Sequence, residues 1–280
     1  MRMKIVKRPF NDIYQELELL NRFNKRSEKI LIKEIKLEKR CIIACKVLWR
    51  EISYLVSISP FYYDVVYLDQ GLHNEPANLK TKLQEKITEM ENNYSVILIG
   101  YGLCSNGIVG ITSKKATLIL MRGHDCITFF LGSKELYRSC FDELPGTYWY
   151  NTGWIDTSDI PNKEFYDKKF IEYKDRYDED TAEYLLEMEK EWLSKYNNLA
   201  YINQGITDEA EYVKMSKEAA RYLNWNYKEL KGDLNLISDW IMGNWTSERF
   251  LVLEPNDVLT ASFEEKTIIK IDPVIEPPLL

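Results

Sequence analysis

The chain has 280 residues, enough to bury a substantial core as one large domain or two small ones. It is 45% hydrophobic and 29% charged, with 44 acidic against 37 basic residues and a net charge of −7. That balance argues against a general nucleic-acid or membrane-surface binder, which needs a basic face.

No apolar run approaches the roughly 20 residues of a membrane span. The basic start, residues 1–8 (MRMKIVKR), lacks the apolar stretch of a signal peptide and turns acidic by Asp12, so a cytoplasmic location is expected. Five cysteines, odd in number and without a small-scaffold spacing, point to reduced thiols rather than a disulfide framework.

Residues 10–24 carry apolar side chains at helical spacing, and 30–37 (ILIKEIKL) alternate like a half-exposed strand. Residues 1–40 therefore read as an extension, followed by a single α/β domain over 41–280. Short apolar runs at 41–45 (CIIAC), 64–68 (DVVYL), 95–100 (SVILIG) and 117–121 (TLILM) read as buried strands. Between them, 47–56 and 79–90 read as helices, the second with Leu79, Leu83, Ile87 and Met90 on one stripe. A helix is expected within 127–141, then an aromatic loop over 145–154 (PGTYWYNTGW).

The polar, acidic segment 156–176 reads as a connection between two βα lobes, 41–155 and 177–280. Helices are expected at 177–196, 207–224 and 233–243, with strands at 199–203 and 250–253. A tail with Pro273, Pro277 and Pro278 reads as a surface strap. Strands alternating with helices imply a Rossmann-like, mostly parallel sheet with flanking helices and a helix-rich C-terminal half.

The residues that chemistry favours fall at the strand ends. Cys45, His73, Cys104 and the run His124-Asp125-Cys126 each follow an apolar run, and carboxyl ends of parallel strands are where ligands collect. Cys41 and Cys140 lie in core-like patterns. The thiolates of Cys45, Cys104 and Cys126 with His73 or His124 as fourth ligand or proton-transfer group would complete a zinc site, two thiolates and an imidazole would leave a catalytic position open, and three cysteines could hold a cubane with one iron open to substrate. Without a CxxC, neither a zinc ribbon nor a ferredoxin motif is supported.

In the loop at 100–107 (GYGLCSNG), Gly102, Asn106 and Gly107 could let a ligand approach the backbone. Two further readings stay open: a metal-free nucleophile or sulfur carrier, Cys104 or Cys126 with His124 as base, and a binding module for a small anion. Glu51 and Asp125 are candidates to orient imidazoles, Asp125 also to cap the following helix. His124 and Cys126, one residue apart, would point to one side of their loop. Tyr148, Trp149, Tyr150 and Trp154 could cover a pocket.

Several strings together resemble an uncharacterised domain family of anaerobic archaea and bacteria. They are CKVLWRE at 45–51, GLHNEP at 71–76 with Leu83-Gln84, YGLCSNG at 101–107, HDCI at 124–127, LGS at 131–133 with Tyr137, and PGTY at 145–148 with Gly153-Trp154. The likeness is carried by residues 41–155. Met121-Arg-Gly123 stands where a proline–arginine pair is expected, and Ser105 where glycine is. The resemblance implies one-carbon or methyl metabolism, with corrinoid or methyltransferase proteins as partners by association; with the thiol constellation, the expected function is an enzyme or accessory factor of anaerobic methyl or thiol metabolism that acts on a small molecule. The characteristic polar positions it marks are Cys45, Glu51, His73, Cys104, His124, Asp125 and Cys126.

Overall fold

The computed structural model describes residues 39–262, 264 and 268–271. The helix expected at 10–24, the strand at 30–37 and the proline tail lie outside the described residues.

Strands β1 (Arg40–Cys45), β2 (Tyr63–Leu68), β3 (Val96–Gly100) and β4 (Thr117–Met121) run parallel, and β8 (Phe250–Leu253) pairs antiparallel with β4. The order is β2-β1-β3-β4-β8. Every residue of β1 and β3 is buried, as expected of parallel strands covered on both faces, and this explains their unbroken apolar runs. Helices α1 (Trp49–Ser57), α2 (Pro76–Met90) and α9 (Asn235–Met242) pack on this sheet. Glycine at 100 lets them close: a Cβ there would stand 2.5 Å from Ala44 Cβ and 3.1 Å from the ring of Trp240. Trp240 is fully buried and donates its indole N–H to the Ile119 carbonyl at 3.0 Å.

After β4 come α3 (Cys126–Leu131) and α4 (Lys134–Glu143), where one helix was expected. The chain breaks at Gly132, left-handed at φ 80°, and restarts on the side chain of Ser133. A second parallel sheet then forms, ordered β5-β6-β7, from β5 (Thr147–Tyr150), β6 (Asn198–Asn203) and β7 (Asn226–Lys231). Its helices are α5 (Thr152–Thr157), α6 (Lys163–Lys174), α7 (Glu179–Lys190) and α8 (Ala210–Leu223). It has its own small core of Tyr150, Ile160, Leu199, Tyr201, Ala219 and Ala220.

The expected lobe division is corrected. Residues 156–176 are not a bare connection, because they hold the end of α5 and all of α6. The second lobe spans 147–231, and the chain then returns to the first sheet with α9 and β8. A short antiparallel pair, β9 (Leu259–Ala261) and β10 (Ile269–Ile271), follows. The aromatic segment expected as a loop is strand β5. The missed β7 carries the mostly exposed sequence NYKELK, with no apolar run to mark it.

The two lobes meet at the carboxyl ends of their strands. Gln204, after β6, donates to the Phe130 carbonyl on α3 at 2.8 Å, and Asp233, after β7, does so through its backbone N–H at 3.0 Å. Gly153 of α5 lies so tightly on the Val47 carbonyl that any Cβ would collide with it. No helix among the described residues is long and apolar enough to cross a membrane.

Candidate functional site

In a sheet ordered β2-β1-β3-β4, connections leave β1 and β3 in opposite directions, which opens a crevice at their carboxyl ends. Four residues singled out by sequence, Cys45, His73, Cys104 and Cys126, stand at its strand ends, together with Tyr101, which was not. Cys45 closes β1; Tyr101 and Cys104 follow β3; Cys126 opens α3 after β4; and His73 sits in the 3₁₀ turn Gln70–Asn74 after β2. Cys45 is 8% exposed, and Cys104 and Cys126 are partly buried. Cys41 and Cys140 are core residues, as expected.

Two loops are pinned together here. Leu103 N–H donates to the Gly123 carbonyl and Cys104 N–H to the His124 carbonyl, each at 2.9 Å. The close approach depends on Gly102, where a Cβ would stand 2.7 to 2.9 Å from the backbone of Asp125. Cys104, Ser105 and Asn106 follow with φ of 46°, 54° and 67°, three successive non-glycine residues in the left-handed region. Each costs about 1–2 kcal/mol, and strain of this kind concentrates at functional sites. The turn closes with Gly107 N–H on the Cys104 carbonyl at 3.0 Å.

The expected ligand-admitting role of Gly102 and Gly107 meets a packing explanation. The chain itself fills both spaces, with Asp125 against Gly102 and Leu79 at 2.8 Å from a Cβ on Gly107. Asn106 is exposed.

Burial pushes all three thiols up, Cys45 to about 11 and Cys104 to about 12, and Cys126 upward as well. For Cys104 and Cys126 the neighbouring thiols and Asp125 push the same way. The three sulfurs therefore sit within one another's electrostatic reach, although they come from three different strands. The hydroxyl of Tyr101 lies within reach of two of them, Cys45 and Cys104. It is buried without a hydrogen-bond partner, and the Cys45 and Cys104 thiols and Asp69 all act on it. As the side chains stand, no group of three or more His, Cys, Asp or Glu among the described residues is arranged to hold a metal ion.

The run His124-Asp125-Cys126 divides its residues, and the expectation that His124 and Cys126 face one side is corrected. Cys126 is partly buried within the electrostatic reach of Cys45 and Cys104. His124 is exposed and lines a surface cavity of about 740 Å³ together with Lys134, Tyr137 and Phe141. Asp125 caps α3 by accepting from Ile127 N–H at 3.0 Å, and its other oxygen accepts from Tyr137 hydroxyl at 2.8 Å. Tyr137 is thus what holds the loop's carboxylate in place.

His73 Nδ1 lies 2.6 Å from the Gln70 carbonyl, a hydrogen bond when Nδ1 carries the proton, which leaves the Nε2 lone pair available. The ring of Trp154 lies over it at 5.7 Å. Of the four aromatics expected to cover a pocket, Tyr150 is core and Tyr148 packs among Tyr150, Trp192, Tyr196 and Trp225. Trp149 rests on Tyr137.

Glu51 does not orient an imidazole. It is fully buried in the first turn of α1, and neither carboxylate oxygen has a partner. Burial raises its pKa to about 8, so it is predominantly protonated at neutral pH. The Tyr101 hydroxyl was missed at the sequence level, although its place beside the glycine turn after the clearest strand marks it. Gln84, part of the family-like motif, proves structural: its amide brackets the Thr112 backbone with two hydrogen bonds of 3.0 Å.

No curated protein and no solved structure matches the chain. A family model described as "Protein of unknown function (DUF1638)" matches residues 67–241. That span takes in His73, Cys104, Cys126 and the whole second lobe, and leaves Cys45 and Glu51 before its start. Covering more than half of the 280 residues, the match places this chain in the DUF1638 family.

Proposed function

We propose that the chain binds a soft metal centre, zinc or an iron–sulfur cluster, through Cys45, Cys104 and Cys126, and works on a small molecule as an enzyme or accessory factor. The observation that carries this reading is the convergence of three thiols from three strand ends on the switch-point crevice, two of them beside a buried hydroxyl that has no partner. Thiolates select zinc and iron–sulfur centres over hard cations. Binding has to draw the sulfurs together by side-chain rotation, and the ion's charge offsets the cost of deprotonating buried thiols.

His73, with Nε2 available, serves as fourth ligand or proton-transfer group. Asp125 acts through the loop it holds rather than on an imidazole. Bound zinc would activate a thiol or water, and a cubane would offer an open iron. The metal-free nucleophile finds less support, since a nucleophilic cysteine needs its thiolate favoured and these surroundings favour the thiol. Anaerobic methyl metabolism, with corrinoid or methyltransferase partners, is the context that the family resemblance supplies; the thiols extend it to thiol metabolism, and a cytoplasmic setting is part of the proposal.

Metal and acid-labile sulfide analysis of anaerobically purified protein tests this. The expected result is either stoichiometric zinc or iron with matching sulfide, lost in Cys104→Ser. A colourless, metal-free wild-type protein that takes up neither metal on addition would overturn it.

A further inference from the structure

A second set of buried polar side chains lies where the lobes meet. Both carboxylate oxygens of Glu51 lack a partner, and so do Asn151 Nδ2, Thr152 Oγ1 and Gln204 Oε1. All four residues are at most 9% exposed. They come from both lobes: Glu51 from α1, Asn151 and Thr152 from the β5–α5 junction, and Gln204 from the end of β6.

Two contacts bring them to one interface. The Val47 carbonyl, one helical turn before Glu51, is packed against Gly153, the neighbour of Thr152. Glu51 also feels the charge of Glu209, whose carboxylate accepts the N–H of Gly205, next to Gln204, at 2.8 Å.

Folded proteins leave few buried polar atoms unpaired, and four such side chains across one interface call for a partner that is not part of the chain. The ionic groups nearby are already engaged. Arg50 bonds Asp156 and the Tyr212 hydroxyl, each at 2.7 Å, and Glu209 also accepts from Tyr201 at 2.6 Å. What remains is Glu51, one acceptor oxygen on Gln204, one amide donor and one hydroxyl; a bound cation ionises Glu51, whose proton leaves to solvent, and the carboxylate then offers two acceptor oxygens. Acceptors in an acidic, enclosed place call for a cation with N–H donors, and the amide donor calls for an oxygen on the same guest.

We infer that the interlobe interface is a binding site for a small primary ammonium compound, with Glu51 taking the ammonium group and Asn151, Thr152 and Gln204 its remaining polar atoms. The chain passes between the lobes at 144–147 and again at 231–235, and parting of the lobes about these two segments admits the guest. The thiols take no part in this binding.

The test is thermal unfolding of the full chain with ethanolammonium chloride, against sodium chloride and tetramethylammonium chloride at equal ionic strength. Ethanolammonium is expected to raise Tm, and the two salts without N–H donors to leave it unchanged. In Glu51→Gln the apparent affinity is expected to fall roughly tenfold or more. Should Glu51→Gln not fold by circular dichroism, Thr152→Val is expected to show a weakened shift instead. In Cys104→Ser the shift is expected to persist, which separates this site from the thiol crevice. The assignment is overturned by no ethanolammonium shift, by an equal shift with tetramethylammonium, by an undiminished shift in the interface variant that folds, or by its loss in Cys104→Ser.

Discussion

Gly102 and Asp125 show how two motifs that look separate in sequence become one device. The missing Cβ at 102 lets the Asp125 backbone approach, and Asp125 then caps α3 and takes the Tyr137 hydroxyl. Gly102→Ala forces backbone apart rather than a flexible side chain, so a loss of about 1–3 kcal/mol is predicted, read as a lower urea midpoint. Tyr137→Phe removes one charged hydrogen bond and is predicted to cost about 1–3 kcal/mol while leaving the fold intact by circular dichroism. Glu51 predicts a pH signature. Its folded pKa of about 8 exceeds the ordinary 4.5, so unfolding releases a proton between those values. Its contribution is whole below pH 4.5 and is lost as pH rises through about 8, a change on the order of a few kcal/mol. Wild type measured against Glu51→Gln across that range should show this slope; parallel curves for the two proteins would contradict it.

Among the elements, β1, β3 and β4 were legible because both their faces are covered, which writes an unbroken apolar run into the sequence. The strand-end placement of Cys45, Cys104 and Cys126 followed from those runs alone. Edge strand β7 gave no such signal, and β5 was hidden in an aromatic run whose members serve a strand and a cluster at once and which continues to Trp154, on α5 against His73. The meeting of the two lobes was not legible either. It depends on long-range contacts such as Gly153 against Val47 and Gln204 against Phe130, which carry no local pattern. Of the orphaned groups at that interface only Glu51 stood out in the sequence, and for another role; Asn151, Thr152 and Gln204 carried no signal. Gly153→Ala places a methyl group against the Val47 carbonyl, so it is predicted to loosen the lobe contact. Faster hydrogen exchange in α1 and α5, with the strands of both sheets still protected, is the expected readout.

At the scale of the molecule, the parallel strands of a mixed sheet and those of a wholly parallel sheet present their carboxyl ends to one another, one set carrying thiols and the other amide and hydroxyl groups. The first sheet draws α9 and β8 from beyond the second lobe, so the second lobe is enclosed in sequence by the first. The central claim is that Cys45, Cys104 and Cys126 ligate one metal centre at the switch point. X-ray absorption at the metal edge of the anaerobically purified protein addresses it most directly. The account predicts a sulfur shell at about 2.3 Å that holds three protein thiolates and shrinks in Cys45→Ser, Cys104→Ser and Cys126→Ser alike. A first shell of nitrogen and oxygen only, or one unchanged by all three substitutions, would contradict it.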